Sequence, residues 1–280
     1  MASWMIHLRI AEKLMDIYKN AELEPVNFIV GNIAPDSGEL NADNTTYNPP
    51  KHISHWQDIN KNKESKKDDF FRKYIAECTD KSKLSFYLGY YVHLFTDVLW
   101  KERILYPTRD KYSTLFVDSM EFSQAVKKDW FQADVLFIRE NPSFYPYDVL
   151  RNIDTFSNTF LNYFTPTAIE HKIKELVGAY NEPDIDDDYD YPYLNTQVAD
   201  EFVDFAVETI NTDVTGKITT DLAAPLKTKV ELGDDYGMKS KSNIGKEWYE
   251  QADAFSKYVV GKTVEEVKDR FEKLIEGVSA

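Results

Sequence analysis

Residues 86–100 read FYLGYYVHLFTDVLW, and the fold class turns on how this stretch is read. The thirteen residues from Leu84 to Thr96 carry no formal charge. That falls short of the roughly 20 apolar residues that span a bilayer. The spacing therefore predicts a core helix over 82–106, apolar nearly all round and central to the molecule. Within it His93 and Asp97 stand four residues apart, which stacks an imidazole and a carboxylate on one helix face. A carboxylate enclosed by apolar groups must be paired, hydrogen-bonded or bound to a cation. A core His–Asp hydrogen bond, or pairing of Asp97 with Lys101 or Arg103, would also meet that demand.

Working outward, Met5, Leu8, Ala11, Leu14, Met15 and Tyr18 recur at three- and four-residue steps, so Trp4–Tyr18 reads as an amphipathic helix with His7 beside its stripe. Residues 19–63 lose the period and hold Pro25, Gly31, Pro35, Gly38, Pro49 and Pro50, predicting a long irregular segment across the surface. Helical spacing returns over 66–77, 114–139, 146–163, 166–180 and 196–212, with Pro142, Pro146 and Pro166 as boundaries. The run EPDIDDDYD (182–190) alternates carboxylates as a calcium loop would. Tyr189 stands where that loop needs glycine and Asn195 where it needs a bidentate glutamate, so a solvated loop is expected. Residues 213–246 show little period. Helices follow at 246–258 and 263–276, the second with a Thr263/Glu266 capping box. The expectation is an all-α chain: a helical domain over 1–212 with a long irregular N-terminal loop, then a C-terminal extension over 213–280 of loop plus helical hairpin.

Composition narrows the partners. Lys and Arg number 33 against 48 Asp and Glu, a formal charge of −15. That field disfavours a stable nucleic-acid partner and electrostatic docking on an anionic bilayer. The single cysteine, Cys78, excludes an intrachain disulfide, and a chain of 280 residues needs none to bury a core. Arg9 and Glu12 interrupt the N-terminus before an apolar leader develops, so no secretory signal is visible and a cytoplasmic location is expected. No transmembrane segment is expected.

The five histidines are His7, His52, His55, His93 and His171. Asp36 ends the apolar run FIVGNIAPDSG (28–38), where Pro35 restrains the backbone that presents it; alone, it reads as a turn aspartate. His55 lies in KHISHW (51–56), with His52 three residues earlier and Trp56 directly after. Taken together, His7, Asp36, His55, His93 and Asp97 sit on apolar-flanked segments and supply the nitrogen and oxygen donors that zinc takes.

Four segments, HLRIAEKL (7–14), FIVGNIAPDSG, KHISHW and FYLGYYVHLFTDVLW, resemble in order and spacing the zinc-dependent phospholipase C family. That family has an all-α hydrolase fold, a multi-helix bundle related to the fungal single-strand-specific nucleases. The resemblance implies that His7 belongs to one zinc site, that Asp36 and His55 bind another zinc, and that His93 and Asp97 form the helix motif whose aspartate can bridge metals. His55 fits better than His52 because the family's ligand is followed by an aromatic, here Trp56. The chain also departs from the family. Secreted members ligate one zinc through a mature N-terminal tryptophan, whereas Trp4 is internal, and they add a later histidine pair and a glutamate, whereas only His171 follows Asp97. One or two zinc ions are therefore expected. Residues 214–263 are similar to a segment of extracytoplasmic lipoproteins allied to flavin-binding domains. The flavin-attachment threonine motif is not evident, so no flavin is expected, but this similarity leaves the compartment open.

The implied chemistry is phosphodiester hydrolysis by metal-activated water, with a small phosphodiester or phospholipid headgroup as partner. Asp36 is the carboxylate expected to orient the water. Trp56, Tyr90, Tyr91 and Trp100 lie near the ligands in sequence, where their ring faces would hold a choline-like cation or simply fill the core. Two other readings compete: a nuclease or nucleotidase on the same scaffold, and a non-catalytic module that zinc pins together.

Overall fold

In the computed structural model, which describes residues 2–21, 23–41, 45–181, 183 and 189–220, the apolar stretch forms helix α5 (Lys81–Trp100). Asp80 caps it by accepting a hydrogen bond from the Lys83 N–H. From Ser85 to Trp100 every residue except Val98 is buried. The chain continues without a break as a π-helical segment, Lys101–Leu105, and a short helix α6 (Tyr106–Tyr112).

Around α5 stand α1 (Trp4–Ile17) and α2 (Pro25–Ile33). Helix α2 corrects the expectation of an irregular 19–63 segment. Pro25 occupies its first turn, where a missing N–H is tolerated, and Phe28 to Ile33 are all buried. Only the first turn, with Pro25 and Val26, is exposed, and six consecutive buried residues leave no alternation of faces to read. After α2 come a 3₁₀ turn (Ala34–Asp36) and a hairpin of β1 (Glu39–Leu40) with β2 (Tyr47–Asn48). Helix α3 (Lys51–Ser54) and a second hairpin, β3 (Gln57–Asp58) with β4 (Glu64–Ser65), follow. These two-residue antiparallel ladders are the only strands among the described residues, so the class is all-α.

Helix α4 (Lys67–Phe70) leads into a π-helical turn, and α7 (Ser119–Glu140), capped by Asp118, α8 (Tyr145–Arg151), α9 (Ala168–Asn181) and α10 (Thr196–Thr220) complete the described fold. The helix expected over 146–163 stops at Arg151. Beyond it the Asn158 side chain accepts from the Phe160 and Leu161 N–H groups and donates to the Leu161 and Phe164 carbonyls, capturing backbone groups that a helix would need. Helix α10 runs past the expected end at 212 to Thr220. The calcium-loop aspartates 184, 186 and 188 and the helices expected at 246–258 and 263–276 lie outside the described residues.

Helices α2 and α5 cross backbone to backbone. A Cβ added at Gly31 would stand 2.0 Å from the Phe86 carbonyl oxygen, and one at Gly89 would stand 2.0 Å from that of Phe28. Gly178 on α9, by contrast, has nothing within 4 Å. Gly31→Ala and Gly89→Ala are each expected to destabilise the protein by about 3 kcal/mol through overpacking. Gly178→Ala should gain roughly 0.5–1 kcal/mol from helix propensity alone. Urea unfolding of the three variants checks the contrast; equal effects would mean that the crossing is looser than described.

Candidate metal centre

The crossing fixes the first functional group. His93 Nδ1 lies 2.7 Å from the Asn32 carbonyl oxygen. A carbonyl only accepts, so Nδ1 carries the proton and Nε2 is left with its lone pair. Burial, with His7 alongside, pushes the His93 pKa down to about 3 and keeps the ring neutral. One helical turn on, Asp97 is buried beside it, with Oδ2 3.9 Å from His93 Nε2.

Three other segments converge here. Helix α1 brings His7, whose ring stacks on His93 at 3.9 Å between centroids and 3° between planes. Its Nε2 lies 3.5 Å from Asp97 Oδ1, outside hydrogen-bond alignment, and neither ring nitrogen has a hydrogen-bond partner. The 3₁₀ turn after α2 presents Asp36. Trp4 Nε1 donates to Asp36 Oδ2 at 3.2 Å, and Oδ1 faces His55 Nε2 at 3.2 Å. His55 caps the C-terminus of α3. Its Nδ1 lies 3.0 Å from Ser54 Oγ, which directs Nε2 toward Asp36 and toward Asp97 Oδ2 at 3.7 Å. Two donor sets result, His7–His93–Asp97 and Asp36–His55–His93, each with its ligand atoms within 4.8 Å of one another.

Electrostatics match a cation. Burial raises the Asp36 pKa, but the hydrogen-bonding reach of His55 and the His93 ring outweigh it and hold the carboxyl well below its usual range. Asp97 is likewise held well below its usual range against its burial, with the His7 and His93 imidazoles among the causes. Both carboxylates are thus ionised inside the protein, while the buried Nε2 atoms of His7, His55 and His93 have no hydrogen-bond partner. Buried ring nitrogens without hydrogen-bond partners beside ionised carboxylates are the pattern that metal ligands leave. The residues fit zinc in donor type and number.

The other residues singled out in the sequence lie elsewhere. His52 is on α3 outside both donor sets, and the exposed His171 pairs with Glu39 at 2.6 Å. Tyr90 is fully buried and donates to the Ser54 carbonyl, so it braces the residue before His55 rather than offering a ring face. Tyr91 is fully buried with its hydroxyl on Asp213. Trp100 is enclosed edge-on against Trp130 and Phe202. Trp56 is half-buried at φ 47°, and its indole N–H donates to the Tyr163 hydroxyl at 3.3 Å.

The all-α scaffold thus carries a buried imidazole–carboxylate cluster with the donor types that hold a divalent cation. Residues 6–105 match the family described as zinc dependent phospholipase C. The chain is also similar to a chlorophenol reductase of Desulfitobacterium hafniense, 53% identical over 47 residues, which is 17% of this chain. The chain spans 14% of the length of that curated relative. No solved structure matches, and no helix among the described residues is long and apolar enough to cross a membrane.

Asp134 of α7 anchors the start of α1 beside the centre. It accepts from Ser3 Oγ at 2.6 Å, the Met5 N–H at 3.3 Å and the Tyr180 hydroxyl at 2.6 Å. Burial nevertheless dominates, and its pKa rises from 3.8 to about 6. Between those values the native state holds a proton that the unfolded chain has lost, so this group favours folding at low pH and loses that contribution as pH climbs through about 6. The stability of Asp134→Asn relative to wild type is therefore expected to improve from about pH 4 to about pH 7. Urea unfolding at fixed zinc measures the difference, and a pH-independent gap would show that Asp134 titrates as an ordinary carboxyl.

Proposed function

We propose that this chain is a zinc-dependent phosphoesterase that hydrolyses a phosphodiester of the phospholipid type, yielding an alcohol and a phosphomonoester. The convergence of three unpartnered imidazole nitrogens and two ionised carboxylates in one buried cluster carries this reading. The family match over residues 6–105 supports a phosphoester as substrate.

The geometry ranks the ligands. His93 has one lone pair to give, at Nε2, because Nδ1 is committed to the Asn32 carbonyl. Asp97 turns Oδ2 toward His55 and His93 and Oδ1 toward His7. Asp36, His55 and His93 thus offer three ligands to a first ion, with Asp97 Oδ2 3.7 Å from His55 Nε2 and 3.9 Å from His93 Nε2. His7 and Asp97 Oδ1 offer two ligands to a second.

Held by these residues, zinc would lower the pKa of bound water toward ~7 and polarise a phosphoryl oxygen. Asp36 supplies orientation. Its Oδ2 is pinned by the Trp4 indole, and its depressed pKa suits it to accept a hydrogen bond from the attacking water rather than to retain a proton.

Zinc is measured first, by elemental analysis of protein purified without chelator, with about one equivalent or more expected. His93→Ala should fall below about half an equivalent and lose at least ~100-fold in turnover. His7→Ala should keep the first ion. His52→Ala and His171→Ala should keep both metal and activity. Wild-type protein without zinc would leave the enzyme readings without a basis. With zinc present, turnover of a chromogenic phosphocholine diester above single-stranded DNA and nucleoside monophosphates supports the lipase reading. The reverse order makes the scaffold a nuclease or nucleotidase, and zinc without turnover makes it a pinned, non-catalytic module.

A further inference from the structure

Helix α1 is not capped by its own N-cap residue. Ser3 holds the extended N-cap conformation, yet its side chain makes no capping hydrogen bond. A serine in that position ordinarily accepts from a backbone N–H of the first turn. Here its hydroxyl donates outward to Asp134 Oδ1 at 2.6 Å, and Asp134 Oδ2 accepts from the Met5 N–H at 3.3 Å in its stead. The start of α1 is thus tied to a buried carboxylate of α7, which the Tyr180 hydroxyl of α9 braces at 2.6 Å.

The tied residues are the ones that serve the metal centre. On one side of Ser3 the Ala2 N–H donates to Asp97 Oδ1 at 3.0 Å, and on the other the Trp4 indole donates to Asp36 Oδ2 at 3.2 Å. The Ser3 carbonyl accepts from the His7 N–H at 3.3 Å, which carries the constraint to His7 itself. A ligating histidine is normally oriented by a hydrogen bond to its other ring nitrogen. His93 has the Asn32 carbonyl in that role and His55 the Ser54 hydroxyl. His7 has a partner at neither nitrogen. Stacking on His93 fixes the plane of its ring but leaves it free to slide within that plane.

We infer that Asp134 is a positioning residue of the metal centre: by gripping Ser3 and Met5 it sets the start of α1, and so replaces for His7 the ring-nitrogen anchor that His55 and His93 each possess. This rests on the metal-centre reading behind the proposed phosphoesterase and deepens it, because ligand geometry is then governed from α7, outside the ligand set.

Zinc affinity of the full chain, measured by competition with a chromogenic chelator, tests it beside urea unfolding of the zinc-free protein. Asp134→Ala should weaken zinc binding by about 10- to 100-fold, and Ser3→Ala should move it in the same direction. Asp134→Asn keeps an acceptor oxygen and should restore most of that affinity. Tyr180→Phe is the control: it takes a hydrogen bond from the same carboxylate while leaving the Ser3 and Met5 contacts in place, so it should lower stability and leave zinc affinity unchanged. Where Asp134→Ala does not fold, Ser3→Ala decides. Affinities that follow this order without turnover of a soluble phosphodiester would leave Asp134 its role and remove the enzyme reading instead. The inference is overturned if Asp134→Ala, or Ser3→Ala in its place, binds zinc as wild type does, or if Tyr180→Phe weakens binding as much as they do. Wild type that binds no zinc overturns it together with the phosphoesterase.

Discussion

The metal centre depends on how closely α2 and α5 approach. Because neither Gly31 nor Gly89 carries a Cβ, the two backbones touch, and the Asn32 carbonyl reaches His93 Nδ1 at 2.7 Å while Asn32 Nδ2 reaches the Gly89 carbonyl at 3.3 Å. The same approach delivers the turn after α2, and with it Asp36, to the other edge of the His93 ring. Metal–ligand distances tolerate only about ±0.2 Å. A methyl group at the crossing would shift the helices by more than that, so two residues that touch no ligand atom set the ligand geometry.

Packing of this kind encloses carboxylates beside imidazoles. Asp36 and Asp97 are ionised and buried, His93 is neutral, and the nearby donors include the Trp4 indole at 3.2 Å from Asp36 and the Ala2 backbone N–H at 3.0 Å from Asp97. Dipoles reduce the cost of burying two negative charges without cancelling it. A divalent cation matches that charge in sign and magnitude. At the neighbouring Asp134 hydrogen bonds from Ser3, Met5 and Tyr180 do not offset burial, and its pKa climbs to about 6.

Much of this was legible in the chain. The uncharged run 84–96 announces α5, and the i, i+4 placement of His93 and Asp97 announces paired polar groups on a buried face. Helix α2 was not legible, because periodicity reports the contrast between two faces and its six residues from Phe28 to Ile33 are buried without one. Nor was the break after Arg151, where one side chain, Asn158, outcompetes the backbone for its own hydrogen bonds. At the centre itself, side-chain donors can be read from residue identity, whereas the Asn32 carbonyl that sets the His93 tautomer is backbone and has no sequence signature. Trp4 was readable in hindsight: it lies three residues before His7, close to the same helix face. Nothing in the sequence distinguished the enclosed Tyr90 and Trp100 from the half-exposed Trp56.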